Sequence, residues 1–505
     1  MTGFTQSFYW KKIKNTPSEK TSILKNFDKN KYQLFSLNLD NFKILLADVP
    51  SRKNIGSSPM VVINFPDKKG NMERFQVSET STLAPEIAIK YPNIKTYIGF
   101  SLDNPGGRIR FSVTPQGLKT MSTYPNKPAL FTVPLNKGDE SLYITYDRGM
   151  RIDSKKDFEC LTENENVPIK EIISFNRDAN DQILRTLRIA ISTTGEYTNF
   201  WDDGDDTNGD AQEDALAALV STLNRTNEVF EVDMAITFHL VTGTEIIYPT
   251  SSTDPYTGSF NSQLQSTLTS EVGESNYDIG HLFNYGGNNG NAGCIGCVCV
   301  DGQKGSGFSS HSFTDNDGGP NMDDFFDIDY VPHEIGHQMG GNHTFSQSNE
   351  GTGVNYEPGS GTTIMGYAGI TGANDVQDHS DPYFHYGTIN QVLNNLDTRT
   401  CWTSTEITNN PPVADAGDDY TIPQGTAFKL VGSATDSDEE DVLTYTWEQV
   451  DSGTTTSSNF GPAKTSGAVW RSRPPSTNPT RYMPARSRVL SGELTETNPQ
   501  ETEDN

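Results

Sequence analysis

The stretch VPHEIGHQMGGNHTF, residues 331–345, constrains the fold of this chain more than any other feature of the sequence. His333 and His337 are four residues apart, so on a helix their side chains share one face and can reach the same ion. Glu334 lies beside the first histidine, where its carboxylate can meet a water molecule rather than the metal. The spacing therefore predicts a helix that carries two metal ligands and a base.

A third histidine requires this helix to be short. His343 is ten residues beyond His333, so on a continuous helix it would lie about 15 Å further along the axis. A zinc–nitrogen bond is only about 2.0–2.1 Å long, and the chain must therefore turn back. Gly340 can supply the left-handed conformation at which helices end. We predict a helix over 329–339, with Asp329 as its N-cap and His343 as the third ligand.

The segment HEIGHQMGGNH resembles the zinc signature of the metzincin endopeptidases. The resemblance implies one catalytic Zn²⁺ held by the three histidines, with Glu334 as the base that activates water for peptide hydrolysis. It also implies a methionine turn below the metal, and GTTIMGYAG over 361–369 supplies Met365 for it. Tyr367 matches the M-x-Y of astacins and serralysins, where the tyrosine ligates zinc or binds the tetrahedral intermediate. A purely structural tyrosine fits that position equally well.

The wider sequence is similar to secreted bacterial reprolysin-like, adamalysin-related metzincins. That resemblance implies a multidomain protein with a β-rich propeptide, an α/β catalytic domain containing a mixed sheet and the active-site helix, and a C-terminal β-sandwich of the PKD or Ig-like type. It also implies a secreted endopeptidase that is made as a latent zymogen and acts on proteins or peptides. One departure is Thr344-Phe345 after the third histidine, where adamalysins have aspartate and pappalysin-like sequences resemble this chain.

The five cysteines fall into two groups. Cys160 stands alone, and the resemblance implies a cysteine switch, in which its thiolate takes the open zinc position; an unpaired thiol without that role is the alternative. Four further cysteines can close two disulfides, which indicates an oxidising compartment. Their C-x-x-C-x-C cluster could instead bind zinc, but no second pair lies nearby. These four are Cys294, Cys297, Cys299 and Cys401.

Changes in sequence character predict three units. Residues 1–180 contain alternating strand-like runs, such as 58–65, 95–102 and 108–115, and end in a charged linker from about residue 151. Residues 186–405 begin with a strand, a helix over 215–230 and a second strand, which is typical of an α/β domain. Beyond a Pro/Asn-rich linker, residues 411–505 predict a small β-sandwich, complete or truncated, that ends in a polar tail.

Two further segments carry predictions about ligands. The acidic loop 202–214 can hold Ca²⁺, but its spacing differs from that of an EF-hand, and a solvated loop before a helix explains it as well. Substrate is expected to lie extended along an edge strand, for which 303–310 is the candidate.

Composition limits the partners of the chain. Its formal net charge is −28, which disfavours nucleic acid and anionic membranes as partners. No apolar run approaches a membrane span, and the N-terminus contains no hydrophobic signal-peptide region, so export is inferred from the resemblance and the cysteines. The rival hypothesis is an adhesin that keeps the fold and binds through its sandwich. The sequence leaves the oligomeric state open.

Overall fold

The structure is a computed structural model that describes residues 9–14, 24, 27, 32–54, 60–150, 158–163, 179–313 and 324–495. In these residues the strands are β1 Trp10–Lys12, β2 Gln33–Leu37, β3 Val61–Pro66, β4 Met72–Glu79, β5 Lys95–Ser101, β6 Arg108–Thr114, β7 Gly117–Tyr124, β8 Lys127–Pro134, β9 Leu142–Asp147, β10 Glu159–Cys160, β11 Ile183–Thr193, β12 Ile236–Leu240, β13 Ile279–Tyr285, β14 Asn289–Asn291, β15 Gly307–His311, β16 Thr403–Glu406, β17 Val413–Asp415, β18 Phe428–Val431, β19 Ser433–Thr435 and β20 Thr480–Met483. The helices are α1 Leu39–Leu46, α2 Pro85–Lys90, α3 Gly195–Trp201, α4 Ala211–Met234, α5 Phe260–Thr267, α6 Val331–Met339, α7 Tyr386–Leu396 and α8 Arg486–Ser491.

The N-terminal part forms one antiparallel sheet in the order β1-β2-β9-β8-β7-β6-β5-β4-β3. The three strand-like runs noted in the sequence become β3, β5 and β6, which confirms the β-rich character of this region. Both faces of the sheet are covered. In β6, Ile109 and Phe111 point into an apolar cluster beneath α1. Arg110 and Ser112 alternate with them and face α4 of the following region.

Helix α4 is the element on which the two large sheets meet. Its N-cap is Asp210, whose carboxylate accepts from the backbone amides of Gln212 and Glu213. It ends at Ala235, which has a left-handed backbone with φ of 52°. Most of α4 is buried because one side packs on β6 and β12 and another faces α6. The polar side of β6 is thereby matched to polar side chains of α4.

Charged side chains form the centre of this contact. Arg110, with its side chain 1% exposed, reaches Glu228 at 2.9 Å and Glu231 at 2.7 Å. Arg108 also binds Glu228, at 2.7 Å, and Arg52 binds Glu231, at 2.6 Å. Burial acts to raise the pKa of Glu231, but the charges of Arg110 and Arg52 outweigh it and lower that pKa to about 2. The arginines lower the pKa of Glu228 as well, so both glutamates stay ionised inside the contact.

Arg110→Ala should strongly destabilise the folded chain. The substitution leaves each of two buried carboxylates with one fewer cationic partner, and breaking such a pair costs about 3–5 kcal/mol. The measurement is the free energy of unfolding in urea. Arg74→Ala is the matched control, because Arg74 forms a solvent-exposed pair with Asp103 and should change stability little. Equal effects of the two substitutions would contradict this account of the contact.

The second sheet is mixed, as predicted, with the path β10-β14-β15-β13-β11-β12 and β16 antiparallel to β11. β14 runs antiparallel to β15, whereas β15, β13, β11 and β12 are mutually parallel. The prediction that 303–310 is the edge strand is wrong, since β15 pairs on both sides with β13 and β14. β14 instead lies next to the rim, and β10 adds to it in parallel.

The segment that we predicted to be a linker is therefore structured in part. Residues 151–157 and 164–178 lie outside the described residues, but between them Glu159 and Cys160 form β10 on the second sheet. Hydrogen bonds join Glu159 N to Asn288 O at 2.9 Å and Leu161 N to Gly290 O at 2.7 Å. This strand is too short to show a hydrophobic pattern in the sequence. Its pairing depends on a partner strand more than 100 residues away.

Beyond residue 410 the described chain forms two small antiparallel ladders, β17 with β19 and β18 with β20. The predicted sandwich over 411–505 is not tested by these ladders and stays a prediction. β20 and α8 extend ordered structure to residue 491, and residues 496–505 lie outside the described part. This part contacts the preceding region, for example through a hydrogen bond from Tyr386 N to Glu448 Oε2 at 2.7 Å.

The predicted disulfides are present. Cys294 pairs with Cys297, and Cys299 pairs with Cys401 across 102 residues. Their sulfurs are thus bonded to one another rather than available to zinc, which removes the alternative zinc cluster. Among the helices in the described residues, none combines the length and apolar composition needed to cross a bilayer.

Candidate metal centre

Helix α6, which carries His333 and His337, begins later than we predicted. It runs over Val331–Met339 and follows a π-helical turn at Phe326–Tyr330. Asp329 is not its N-cap; its carboxylate instead accepts from Ser380 N at 2.8 Å and pairs with Arg148 at 2.8 Å. The prediction failed because distant groups engage this carboxylate, and sequence spacing does not reveal them.

The end of α6 agrees with the prediction. Gly340 has φ of 121°, and its amide donates to His337 O at 2.9 Å. A Cβ at this residue would lie 2.9 Å from Cβ of Asn395, so glycine is required by both conformation and space. Gly341 N donates to Gly336 O at 2.9 Å. The chain leaves the helix here and brings His343 back to the face that carries the other two histidines.

Met365 lies beneath the helix, where the methionine turn was predicted. A Cβ on Gly336 would be 2.6 Å from the Met365 sulfur, so the absence of a side chain on Gly336 allows this close packing. The turn that contains Met365 also contacts the histidine motif near its first and third histidines. Ile364 O contacts Nδ1 of His333 at 2.8 Å, and Thr344 N donates to Met365 O at 3.1 Å.

The three histidines converge with their Nδ1 atoms already engaged. Nδ1 of His337 lies 2.7 Å from Gly341 O, and Nδ1 of His343 lies 3.2 Å from both oxygens of Glu350. A carbonyl oxygen or an ionised carboxylate can only accept, so each of these Nδ1 atoms carries the proton in the neutral ring. The Nε2 atoms of His337 and His343 then present lone pairs to each other across 3.0 Å.

This donor set fits a cation. Two facing lone pairs repel unless a positive ion lies between them, and neutral imidazoles oriented through Nδ1 are the ligands that zinc prefers. Burial lowers the pKa of His337, with further contributions from His343 and His333, which favours the neutral ring. One ligand atom from each of four residues lies within 4.8 Å of all the others, and the four are Cys160, His333, His337 and His343.

Cys160 is the fourth member of this cluster. It takes part in no disulfide, and its sulfur lies 3.6 Å from Nε2 of His337. Strand β10 carries it there from the end of the N-terminal region. The set of three nitrogens and one sulfur is compatible with tetrahedral zinc, which binds both histidine and cysteine.

Glu334 is also contacted by the chain around Cys160. Its Oε2 accepts from the Thr162 hydroxyl at 2.9 Å, and that hydroxyl accepts from Ala292 N at 2.8 Å. A Cβ on Gly290 would lie 2.4 Å from Oε1 of Glu334, so β14 passes directly over the carboxylate. Burial raises the pKa of Glu334 to about 8. Glu334, the predicted base, is thus enclosed between α6, β14 and residues 160–162.

Sequence spacing missed the side chains that support the centre. Glu357 is fully buried and accepts from the hydroxyls of Thr344 and Thr363 and from the amide of Thr362. It therefore joins the residue after the third histidine to the methionine turn. Glu350 orients the ring of His343, as described above. No motif marks either glutamate, because both lie in irregular loops.

Tyr367 and Phe345 border the same centre. The Tyr367 ring centroid is 4.6 Å from that of His343 and 5.8 Å from that of His333. Phe345 stacks on His343 at 4.9 Å and contacts Tyr367 at 4.4 Å. Burial, followed by the charges of Cys160 and Glu334, raises the pKa of Tyr367, so its hydroxyl remains protonated. A catalytic role for Tyr367 stays a prediction.

The acidic loop brings Asp202, Asp203 and Asp214 together, with one oxygen of each within 4.8 Å of the others. Asp214 is 1% exposed, and burial raises the pKa of its carboxyl to about 7. Asp203 N donates to Asp214 Oδ2 at 2.9 Å. Both alternatives, a Ca²⁺ site and a loop that only precedes α4, stay predictions.

Comparison with known families agrees with this geometry. Residues 183–396 match the family model described as metallo-peptidase family M12B, reprolysin-like. This region is therefore a reprolysin-like metzincin, in agreement with the resemblance drawn from the motif, and the family indicates a zinc metallopeptidase that acts on proteins or peptides. No curated protein was found to match the chain.

Proposed function

We propose that this chain, with its reprolysin-like metallopeptidase region at 183–396, is a secreted zinc endopeptidase held latent by its own residues 158–163. The observation that carries the proposal is the convergence of Cys160 with His333, His337 and His343 around one point. The N-terminal sheet, together with the following segment that adds β10 to the second sheet, would then form the propeptide.

The chemistry follows from the residues around that point. Zinc bound by the three histidines would supply a Lewis acid for the peptide carbonyl and for water. Glu334, adjacent to the first histidine, would take the proton of the attacking water and return it to the leaving amine. Tyr367 would donate a hydrogen bond from its protonated hydroxyl to the oxyanion that forms at the scissile carbon.

Latency has two supports in the contacts of the segment 158–163. The sulfur of Cys160 lies 3.6 Å from Nε2 of His337, and there it would take the place of the attacking water. The Thr162 hydroxyl meanwhile holds the carboxylate of Glu334 at 2.9 Å, where it would otherwise contact water. Activation would require the segment to leave the cleft, and the buried ion pairs between β6 and α4 would hold the propeptide in place until then.

Metal removal tests the peptidase assignment. The chain should contain one zinc, and after activation it should digest a protein such as casein. Removal of zinc by a chelator should abolish digestion because the remaining groups lack a Lewis acid, and one equivalent of Zn²⁺ should restore it. A chain that binds no zinc, or one that digests equally well without it, would contradict the proposal and favour the rival adhesin.

Secretion is supported by the two disulfides, which persist in oxidising compartments. The charge of −28 is compatible with a protein that stays in aqueous solution. The proposal therefore places the peptidase outside the cell, acting on proteins or peptides.

A further inference from the structure

Phe158 fills a pocket next to the metal centre that neither the motif nor the latency proposal requires. Its side chain is buried, and its ring stacks on Tyr330 with centroids 4.1 Å apart and planes 25° apart. The same ring meets His333 edge-on at 5.8 Å. Tyr330 is in turn held by an edge contact with His311 at 4.9 Å. Two aromatic rings, those of Tyr330 and His333, therefore border the side chain of Phe158.

The backbone of this segment is bound as an extended peptide would be. Glu159 N and Leu161 N donate to the carbonyls of Asn288 and Gly290, along β14, which would be the edge strand of the sheet without β10. The side chains alternate accordingly: Phe158 and Thr162 are buried against the cleft, while Glu159 and Leu161 are exposed. A peptide added to a sheet edge gains its affinity from such main-chain bonds and its selectivity from pockets for alternate side chains.

The spacing places the pocket beside the reacting bond. Cys160 brings its sulfur to the metal cluster, where the scissile carbonyl of a substrate would have to lie. Phe158 is two residues away on the same side of the strand, about 6.5–7 Å along the cleft. A substrate side chain in this pocket would belong to a residue within two positions of the cleaved bond.

We infer that the Phe158 pocket is a specificity subsite that selects an aromatic substrate side chain within two residues of the scissile bond. This inference rests on the proposed peptidase function and deepens it by naming the class of substrate. Offset stacking on Tyr330 favours a flat ring over an aliphatic chain of similar area. The inhibitory segment thus occupies the cleft with the type of side chain that the pocket accepts.

The first test uses the segment as a separate peptide. A synthetic peptide with the sequence of residues 158–163, FECLTE, should inhibit the activated enzyme. Limited trypsin cleavage at Lys170 or Arg177, which lie between Cys160 and β11 in the sequence, would serve as the activation step. The peptide carrying Phe158→Ala should inhibit at least about 10-fold less well, because it loses the aromatic contact. The matched control is Leu161→Ala, since Leu161 is exposed, and it should inhibit as well as the parent peptide.

The second test reads the preference from substrates. Digestion of a peptide library, with cleavage sites identified by mass spectrometry, should show Phe, Tyr or Trp enriched about 10-fold or more at one position within two residues of the cut. Tyr330→Leu should reduce this enrichment, whereas Tyr330→Phe, which keeps the ring, should retain it. Zinc content of both variants shows whether the centre has remained intact.

The two proposals fail in different ways. If no peptide is cleaved in a zinc-dependent manner, the peptidase function itself is wrong. If peptides are cleaved but aromatic residues are not enriched, or if Phe158→Ala and Leu161→Ala peptides inhibit equally, the peptidase function survives and the subsite inference is overturned.

Discussion

Glu334→Gln should lower kcat/KM for peptide hydrolysis by at least about 10²-fold and up to about 10⁴-fold, the range expected for loss of a general base. Glutamine has the shape of glutamate but does not take up a proton from water. The side chain lies beside His333 and is enclosed by β14, so the substitution leaves packing against Gly290 nearly unchanged. The measurement compares hydrolysis by activated wild-type and variant proteins at equal zinc content.

The matched control for this variant is Glu196→Gln. Glu196 is an exposed glutamate in the first turn of α3, far from the histidines in sequence, and its substitution should leave hydrolysis unchanged. If Glu334→Gln retains wild-type activity while binding zinc normally, the residue is not the base and the mechanism proposed for the motif is wrong.

If Cys160 imposes the latency that we propose, Cys160→Ser should hydrolyse peptides without prior cleavage, at least about 10-fold faster than the uncleaved wild type. A serine hydroxyl is a weaker zinc ligand than a thiolate, so water can compete for the fourth position. The measurement is the initial rate of the intact chain on a fluorogenic peptide, with gel electrophoresis verifying that the propeptide is still attached.

Two further substitutions in the same segment sharpen this result. Thr162→Val removes the hydroxyl that holds Glu334 but keeps the shape of the side chain, and it should release part of the latency. Leu161→Ala alters an exposed side chain of the same segment and should leave the chain latent. Unchanged latency in Cys160→Ser would refute the switch, even if the peptidase chemistry is correct.

The histidine motif could be predicted from the sequence because its three histidines lie within a short segment of the chain. The i, i+4 spacing of His333 and His337 places two candidate ligands on one helical face, and a glycine between the second and third histidines marks the turn. The β-rich N-terminal region was equally readable, since alternating patterns repeat along its strands. These features depend on residues close to one another in the chain.

The features that the sequence did not reveal depend on contacts between distant segments. Asp329 looks like an N-cap, but Arg148 and Ser380 engage its carboxylate from other parts of the fold. Strand β10 is short and polar, so only its pairing with β14 makes it a strand. From the sequence, the polar side of β6 would be expected to face solvent. In the structure it faces α4, where Glu228 pairs with Arg110.

The most direct test of the account is X-ray absorption spectroscopy at the zinc edge of the intact, uncleaved chain. The expected spectrum is that of one zinc with three nitrogen ligands at about 2.0–2.1 Å and one sulfur ligand at about 2.3 Å. The sulfur signal should disappear in Cys160→Ser while the three nitrogen ligands remain. A zinc without sulfur in the wild-type chain, or a sulfur signal that persists in the variant, would contradict the assignment of Cys160 to the metal centre.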